Sequence, residues 1–254
     1  MLYTNNMNVR RMFGIGLSKL LKVKWFPIGL GYILIEKIHP ADYMDNWTNL
    51  PFNAQSIRMQ TISTIYLGFK PEFTIETGTH IGSSTTPLAA MTEGKTFTIE
   101  IEPKYRDVAR ERFNRNHPAL NIESVLGDSA VEMRKILTSI PKSSKLIAYL
   151  DAHWLADIPT YSELEALIEW GGCWIAIIDD FKVEGDAGYK FDSYGAVTIG
   201  NDIVPIHNSD LEIWVPKIPA SRETGARSGT GYVFSSSAHS LIPEWALQNL
   251  RRTL

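Results

Sequence analysis

The chain has 254 residues, 44% of them hydrophobic and 21% charged, with a formal net charge of −3. That length and apolar content suit one large α/β domain with additions, or at most two small domains, and exclude a disordered chain. The near-neutral balance gives no general electrostatic reason to bind nucleic acid, and a single cysteine, Cys173, excludes an internal disulfide and fits a reducing, cytoplasmic compartment.

Residues 1–60 read as a mostly helical N-terminal extension, broken at His39-Pro40 and Leu50-Pro51, ahead of a domain over residues 61–254. Arg10-Arg11 through Lys19, Lys22 and Lys24 form a basic amphipathic stretch. It can lie on an anionic membrane surface or pack on the domain or on a second subunit, and packing is the favoured reading. A homodimer through these helices stays open. No export signal is evident. The apolar run from Trp25 to Ile35 contains Pro27 and two glycines and is too short to span a bilayer.

From about residue 72 strands and helices alternate. Glu72–Glu76 is predicted as a strand and Ser83–Met91 as a helix. Lys95–Ile101 is the next strand, and Pro103 opens a helix to about Asn114. Asn121–Val125 is a third strand, followed by a helix over Ser129–Leu137 that Asp128 can cap. Lys145–Asp151 and Cys173–Asp179 are continuous apolar runs, of the kind buried on both faces of a parallel sheet. Between them, Tyr161–Trp170 reads as a helix stopped by Gly171-Gly172. Trp170, Trp174 and Trp214 are expected to pack in the core. Residues 183–210 are polar and dotted with glycine, either a cover over a site or a long surface loop. Leu211–Val215 and Thr230–Ser235 are expected to form a hairpin at the sheet edge. The pattern predicts an α/β fold, a doubly wound and mostly parallel sheet of seven strands with an antiparallel C-terminal hairpin.

In such sheets ligands bind beyond the carboxyl ends of the strands. Those ends carry Glu76 and Gly78, Glu100, Gly127-Asp128-Ser129, Asp151 with His153-Trp154, and Asp179-Asp180, so five consecutive ends bear acids. In Glu76-Thr-Gly78-Thr-His-Ile-Gly82-Ser83 a glycine turn leads from strand to helix and lets a ligand approach the backbone. A pyrophosphate site wants Gly-x-Gly-x-x-Gly. Here an acid leads and the glycines stand four apart, which suits a nucleoside carrying an amine and a sulfonium. Glu100, about 20 residues past the turn, can accept hydrogen bonds from ribose hydroxyls. Asp128 can meet an adenine amino group or serve as a plain N-cap. Asp151, Asp179 and Asp180 would repel one another in a cleft, and a hard dication such as Mg²⁺ would relieve this. Helix caps or ion pairs with Lys182 or arginines would relieve it as well.

Glu76-Thr-Gly78 with Gly82, Thr98-Ile-Glu100-Ile-Glu-Pro103 and Gly127-Asp128-Ser129 resemble the first three motifs of class I S-adenosylmethionine-dependent methyltransferases. Tyr149-Leu-Asp151-Ala-His153-Trp154 and Ile178-Asp179-Asp180-Phe181 resemble the metal-dependent O-methyltransferases of the catechol and macrocin types. The resemblance covers roughly residues 70–182. It implies a Rossmann-like fold and S-adenosyl-L-methionine as cofactor. Glu76, Gly78, Gly82 and Ser83 would lie near its amino-acid end, Glu100 on its ribose, and Asp128 and Ser129 beside its adenine, with Trp154 against cofactor or substrate. Asp151, Asp179 and Asp180 would hold Mg²⁺, which would acidify a hydroxyl of a small acceptor, a sugar or a natural-product intermediate. In the catechol type a lysine base follows the His-Trp pair, but here Leu155 stands there. The base is left open among Asp151, His153 and Lys182. Other chemistry on the same fold, such as that of hydroxylase-like relatives, and a non-catalytic cofactor-binding scaffold are the alternatives.

Overall fold

The computed structural model describes residues 50–153, 158–205 and 211–253. The basic N-terminal stretch, Trp154 and Leu155 lie outside them. Five parallel strands form one side of the sheet: β1 (Phe73–Thr77), β2 (Lys95–Glu100), β3 (Ile122–Leu126), β4 (Lys145–Leu150) and β5 (Cys173–Asp179). Helices α1 (Ser56–Phe69), α2 (Thr85–Met91), α3 (Pro103–Asn116), α4 (Ser129–Ser139) and α5 (Thr160–Trp170) precede or join them. Each strand predicted in this region is present, with ends shifted by a residue or so.

The two apolar runs show why the sheet is covered on both faces. Side chains alternate along a strand. Ile147, Tyr149, Cys173, Ile175 and Ile177 join one core cluster with Ile62, Ile65 and Phe69 of α1. Leu146, Ala148, Leu150, Trp174, Ala176 and Ile178 join the other with Met133, Leu137, Leu164 and Leu167 of α4 and α5. All seven residues of β5 are buried. Trp170 and Trp174 are buried, and Trp214 packs partly buried against the first cluster. Asp128 caps α4 by accepting from Ala130 N at 2.9 Å, and Gly171 ends α5 at φ 67°.

Beyond β5 the chain forms β6 (Ser193–Tyr194), β7 (Val197–Thr198), β8 (Glu212–Pro216), β9 (Thr230–Phe234), helix α6 (Ser236–Leu241) and β10 (Leu250–Arg252). Strands β8 and β9 make the expected antiparallel hairpin, inserted through β9 beside β5. The sheet order is β10-β8-β9-β5-β4-β1-β2-β3, a Rossmann-like layout of eight strands, where the sequence predicted seven. The added β10 is three residues long, too short to show an alternating pattern, and it pairs with β8. The region after β5 contains a small β6–β7 ribbon and also buries Val183, Tyr189, Ile199, Ile203 and Val204 in the core.

Helix α1 runs through residue 60, and the residues on both sides of that point pack into one cluster. Before it, Phe52, Asn53 and Ala54 have φ of 52°, 56° and 57°. Three consecutive non-glycine residues in the left-handed region are strained. The turn is held by Phe52 N donating to Ser84 Oγ at 3.1 Å, by the buried Phe52 ring on Tyr149, and by Ala226 N donating to Asn53 O. Among the described residues, no helix is long and apolar enough to cross a membrane.

Candidate functional site

The ends of β1, β2 and β4 lie side by side, with Thr77 opposite Ile99 on one side and Leu150 on the other. The glycine turn leaves from there. Gly78 N and Thr79 N both donate to Ile99 O. Gly78 has φ +79°, and a Cβ on it would stand 2.1 Å from the Asp151 carbonyl oxygen. Glycine is therefore required where the turn crosses the end of β4. Gly82 has φ +76°, and a Cβ there would meet the Phe113 ring of α3 at 2.5 Å.

Glu100 is buried at the end of β2. Its carboxylate accepts from His80 N at 2.6 Å and Glu102 N at 2.9 Å, so it fixes the glycine turn on one side and the start of α3 on the other. Glu76 lies beneath the turn, accepting from the hydroxyls of Thr85 and Thr98. Burial lifts its carboxyl to about 7 against those hydrogen bonds, and the Glu100 charge adds to the rise. Ser83 accepts from Arg112 at 3.2 Å. Asp128 is exposed in its cap, with Ser129 buried behind it.

The three acids at β4 and β5 lie close enough for their charges to act on one another, but their partners differ. Asp179, 1% exposed, is claimed from all sides. Arg58 of α1 binds it in a two-pronged ion pair, with Nη1 on Oδ2 at 2.9 Å and Nη2 on Oδ1. Tyr149 OH (3.1 Å) and Asn53 Nδ2 (3.3 Å) also donate to Oδ2, and Asp180 N donates to Oδ1 at 2.7 Å. Desolvation works against the Asp179 charge, but Arg58 outweighs it and holds the carboxyl below its ordinary range.

In its place His153 joins the group. Its Nε2 stands 3.3 Å from Asp180 Oδ2 and 3.9 Å from Asp151 Oδ1. One ligand atom each from Asp151, His153 and Asp180 lies within 4.8 Å of the others. Desolvation pushes the Asp151 carboxyl well above its usual range, and the Asp179 and Asp180 charges push it further. Burial disfavours a charged His153, but the hydrogen bond and charge of Asp180 more than offset this and raise its pKa. Such a set has the oxygen and nitrogen donors of a divalent cation site. The segment after β5 covers it, with Tyr194 OH donating to His153 O at 3.3 Å and Asp192 N to Asp180 O. Lys182 pairs instead with Glu184 at 2.7 Å on the surface.

Two residues at this site escaped the sequence reading. Arg58 shares the apolar stripe of α1 with Ile62, Ile65 and Phe69 at helical spacing, and that position on a buried face was the available signal. Glu163 likewise lies in the stripe of α5 with Thr160, Leu164, Leu167 and Trp170. Its carboxyl is fully buried near Ser129, Thr77 and His153, yet neither oxygen completes a well-formed hydrogen bond. Burial raises it to about 7 from 4.5. The folded protein thus holds a proton that the unfolded chain releases above 4.5, so this contribution to stability is full below that pH and is lost as pH rises through 7. Relative to the parent, Glu163→Gln is expected to gain on the order of 3 kcal/mol between pH 5 and pH 8. Urea denaturation at both values measures it, and parallel profiles for the two proteins would refute the buried proton.

No protein-family model and no curated protein sequence matches the chain. Solved structures similar to it include an O-methyltransferase from Bacillus cereus in complex with SAH, at 16% identity and a TM-score of 0.49 over 87% of this chain and 97% of that one. Another is the O-methyltransferase TomG from Streptomyces achromogenes, involved in tomaymycin synthesis and solved with SAM, at 16% identity and 0.46 over 69% and 78%. A precorrin 8W decarboxylase from Methanobacterium thermoautotrophicum is similar at 13% identity and 0.39 over 69% and 87%. At these scores the likeness assigns no reaction.

Proposed function

We propose that this chain is an S-adenosylmethionine-dependent O-methyltransferase for a small hydroxylated acceptor, a sugar or a natural-product intermediate, assisted by a divalent cation. The observation that carries the reading is the pairing of two half-sites over adjacent strand ends. A glycine turn fastened by Glu100 lies on the β1–β2 side, and the Asp151–His153–Asp180 group lies at β4 and β5. Gly78 joins them, because its Cα passes against the Asp151 carbonyl.

Glu100 and the turn would hold the nucleoside, with Asp128 and Ser129 at its base and Ser83 toward its amino-acid end. The sulfonium supplies an activated methyl group, so orientation is the main demand on the protein. The acceptor oxygen forms a bond to the methyl carbon as the sulfur–carbon bond breaks, and that electron pair stays on sulfur. The hydroxyl proton would leave to the Asp151 carboxylate oxygen that does not face the cation; His153 would take it only if its Nε2 held no cation. A cation held by Asp151, His153 and Asp180 would lower the hydroxyl pKa and fix the oxygen.

Saturating S-adenosylmethionine, at a hundred times its Kd, is expected to add about 2.7 kcal/mol of stability, seen as a raised Tm, while NAD at equal concentration does not. Glu100→Ala should remove most of that gain, because it frees both the ribose acceptor and the anchor of the turn. The reading fails if neither the methyl donor nor its demethylated product shifts the transition. Binding without turnover on any hydroxylated acceptor would leave a scaffold.

A further inference from the structure

The donor set at β4 and β5 carries a statement about which ion it takes. We propose that the cleft selects a first-row transition dication, of the Mn²⁺ or Zn²⁺ kind, over Mg²⁺, because Arg58 withholds Asp179 from the ion and His153 replaces it as a ligand. This rests on the cation role proposed above and adds the ion's identity and the residue that decides it.

Asp179 has no lone pair to offer. Its Oδ1 receives Arg58 Nη2 and the Asp180 N–H, and its Oδ2 receives Arg58 Nη1, Tyr149 OH and Asn53 Nδ2. A carboxylate oxygen has about two acceptor sites, so these five donors saturate it. Arg58 is itself buried and bound further to Thr230 Oγ1 at 2.6 Å and Gly229 O at 2.9 Å, so it is not a side chain that swings aside. Asp151 and Asp180, by contrast, are 35% and 24% exposed, and neither is paired with a lysine or arginine among the described residues.

The third donor is an imidazole. The His153 side chain is 1% exposed, and its Nδ1 has no partner among the described residues. The buried ring presents Nε2 to the two carboxylates, 3.3 Å from Asp180 and 3.9 Å from Asp151. Mg²⁺ favours oxygen ligands and gives up water reluctantly. Imidazole suits the later first-row dications such as Zn²⁺, affinity for a mixed nitrogen and oxygen site rises along the series, and Mn²⁺, its weakest member, is the demanding case against Mg²⁺. Two carboxylates and one imidazole leave coordination positions for water or an acceptor hydroxyl, so the ion would be selected without closing the site.

The test uses the full chain without methyl donor, so its failure is separate from failure of cofactor binding. Mn²⁺ and Mg²⁺ are titrated by calorimetry, and the Mn²⁺ form is examined for nitrogen modulation in pulsed electron paramagnetic resonance. The expected result is Mn²⁺ binding at least roughly tenfold tighter than Mg²⁺, with a nitrogen coupling in the wild-type protein that vanishes in His153→Gln. A double variant, Arg58→Met with Asp179→Asn, removes the buried pair without leaving a lone charge and is expected to keep Mn²⁺ affinity within about threefold. Should that variant not fold, the wild-type spectrum and the ion ratio decide the matter. Equal affinity for the two ions with no nitrogen coupling, or loss of Mn²⁺ binding in a folded double variant, would overturn the inference. Binding of neither ion would overturn it together with the cation role, while a Tm shift by S-adenosylmethionine would still stand.

Discussion

Replacing Arg58 with alanine is expected to destabilise the protein by about 3–5 kcal/mol and to lower its Tm by roughly 10 °C. The change strips Asp179 of its countercharge while leaving it buried beside Tyr149 and Asn53. The loss is the cost of an isolated buried carboxylate more than the worth of the ion pair, so Asp179→Asn added to Arg58→Ala should recover part of it. Lysine at 58 should not substitute, because a single ammonium cannot span both carboxylate oxygens and also reach Thr230 and Gly229. Urea titrations of the three variants check this. A single alanine variant within 1 kcal/mol of the parent would mean that the pair does not fasten α1 to the sheet.

The second large effect is expected from Gly78→Ala. Left-handed backbone costs alanine about 1–2 kcal/mol, and the added Cβ would stand 2.1 Å from the Asp151 carbonyl oxygen, where no rotamer gives relief. The turn must lift from the end of β4 or β4 must move. If the fold survives, S-adenosylmethionine affinity should fall on the order of a hundredfold, because the backbone groups facing the nucleoside shift with the turn. Gly82→Ala also strains its backbone, but it presses on the Phe113 ring, a side chain able to yield more than a carbonyl. The Gly78 variant should therefore lose more affinity than the Gly82 variant in paired calorimetric titrations. Unchanged binding by a folded Gly78→Ala protein would remove the turn from the cofactor site.

The sheet was legible because its central strands are unambiguous. Lys145–Leu150 and Cys173–Asp179 are short, apolar at successive positions and, in the second, rich in isoleucine, as a strand covered on both faces requires, and each half of the alternation found its own core cluster. Asp128 and Gly171 marked helix ends by local chemistry that does not depend on the rest of the chain. The glycine turn was readable for the same reason. What faces Asp179 was not. Strand phase put an acid at that edge, but its partner lies 121 residues away on another helix, and no local pattern encodes that distance. Charges inside otherwise apolar helical stripes, Arg58 and Glu163, were the clue that went unread. The ribbon of two-residue strands and the short β10 carry too few residues for any period to emerge.

The attachments of α1 also bear on how the molecule is made. Glu223 accepts from Ile57 N and Arg58 N, Thr224 from Ser56 N, and Gln55 exchanges hydrogen bonds with Ser228, so the start of the helix is completed by residues 165–173 positions later in the chain. Contacts of such separation form slowly, since a long loop must close before they return any energy. During synthesis the N-terminal turn of α1 would stay unsatisfied until residues 223–228 had emerged, and a nascent chain halted before residue 223 would hold the five parallel strands without these attachments.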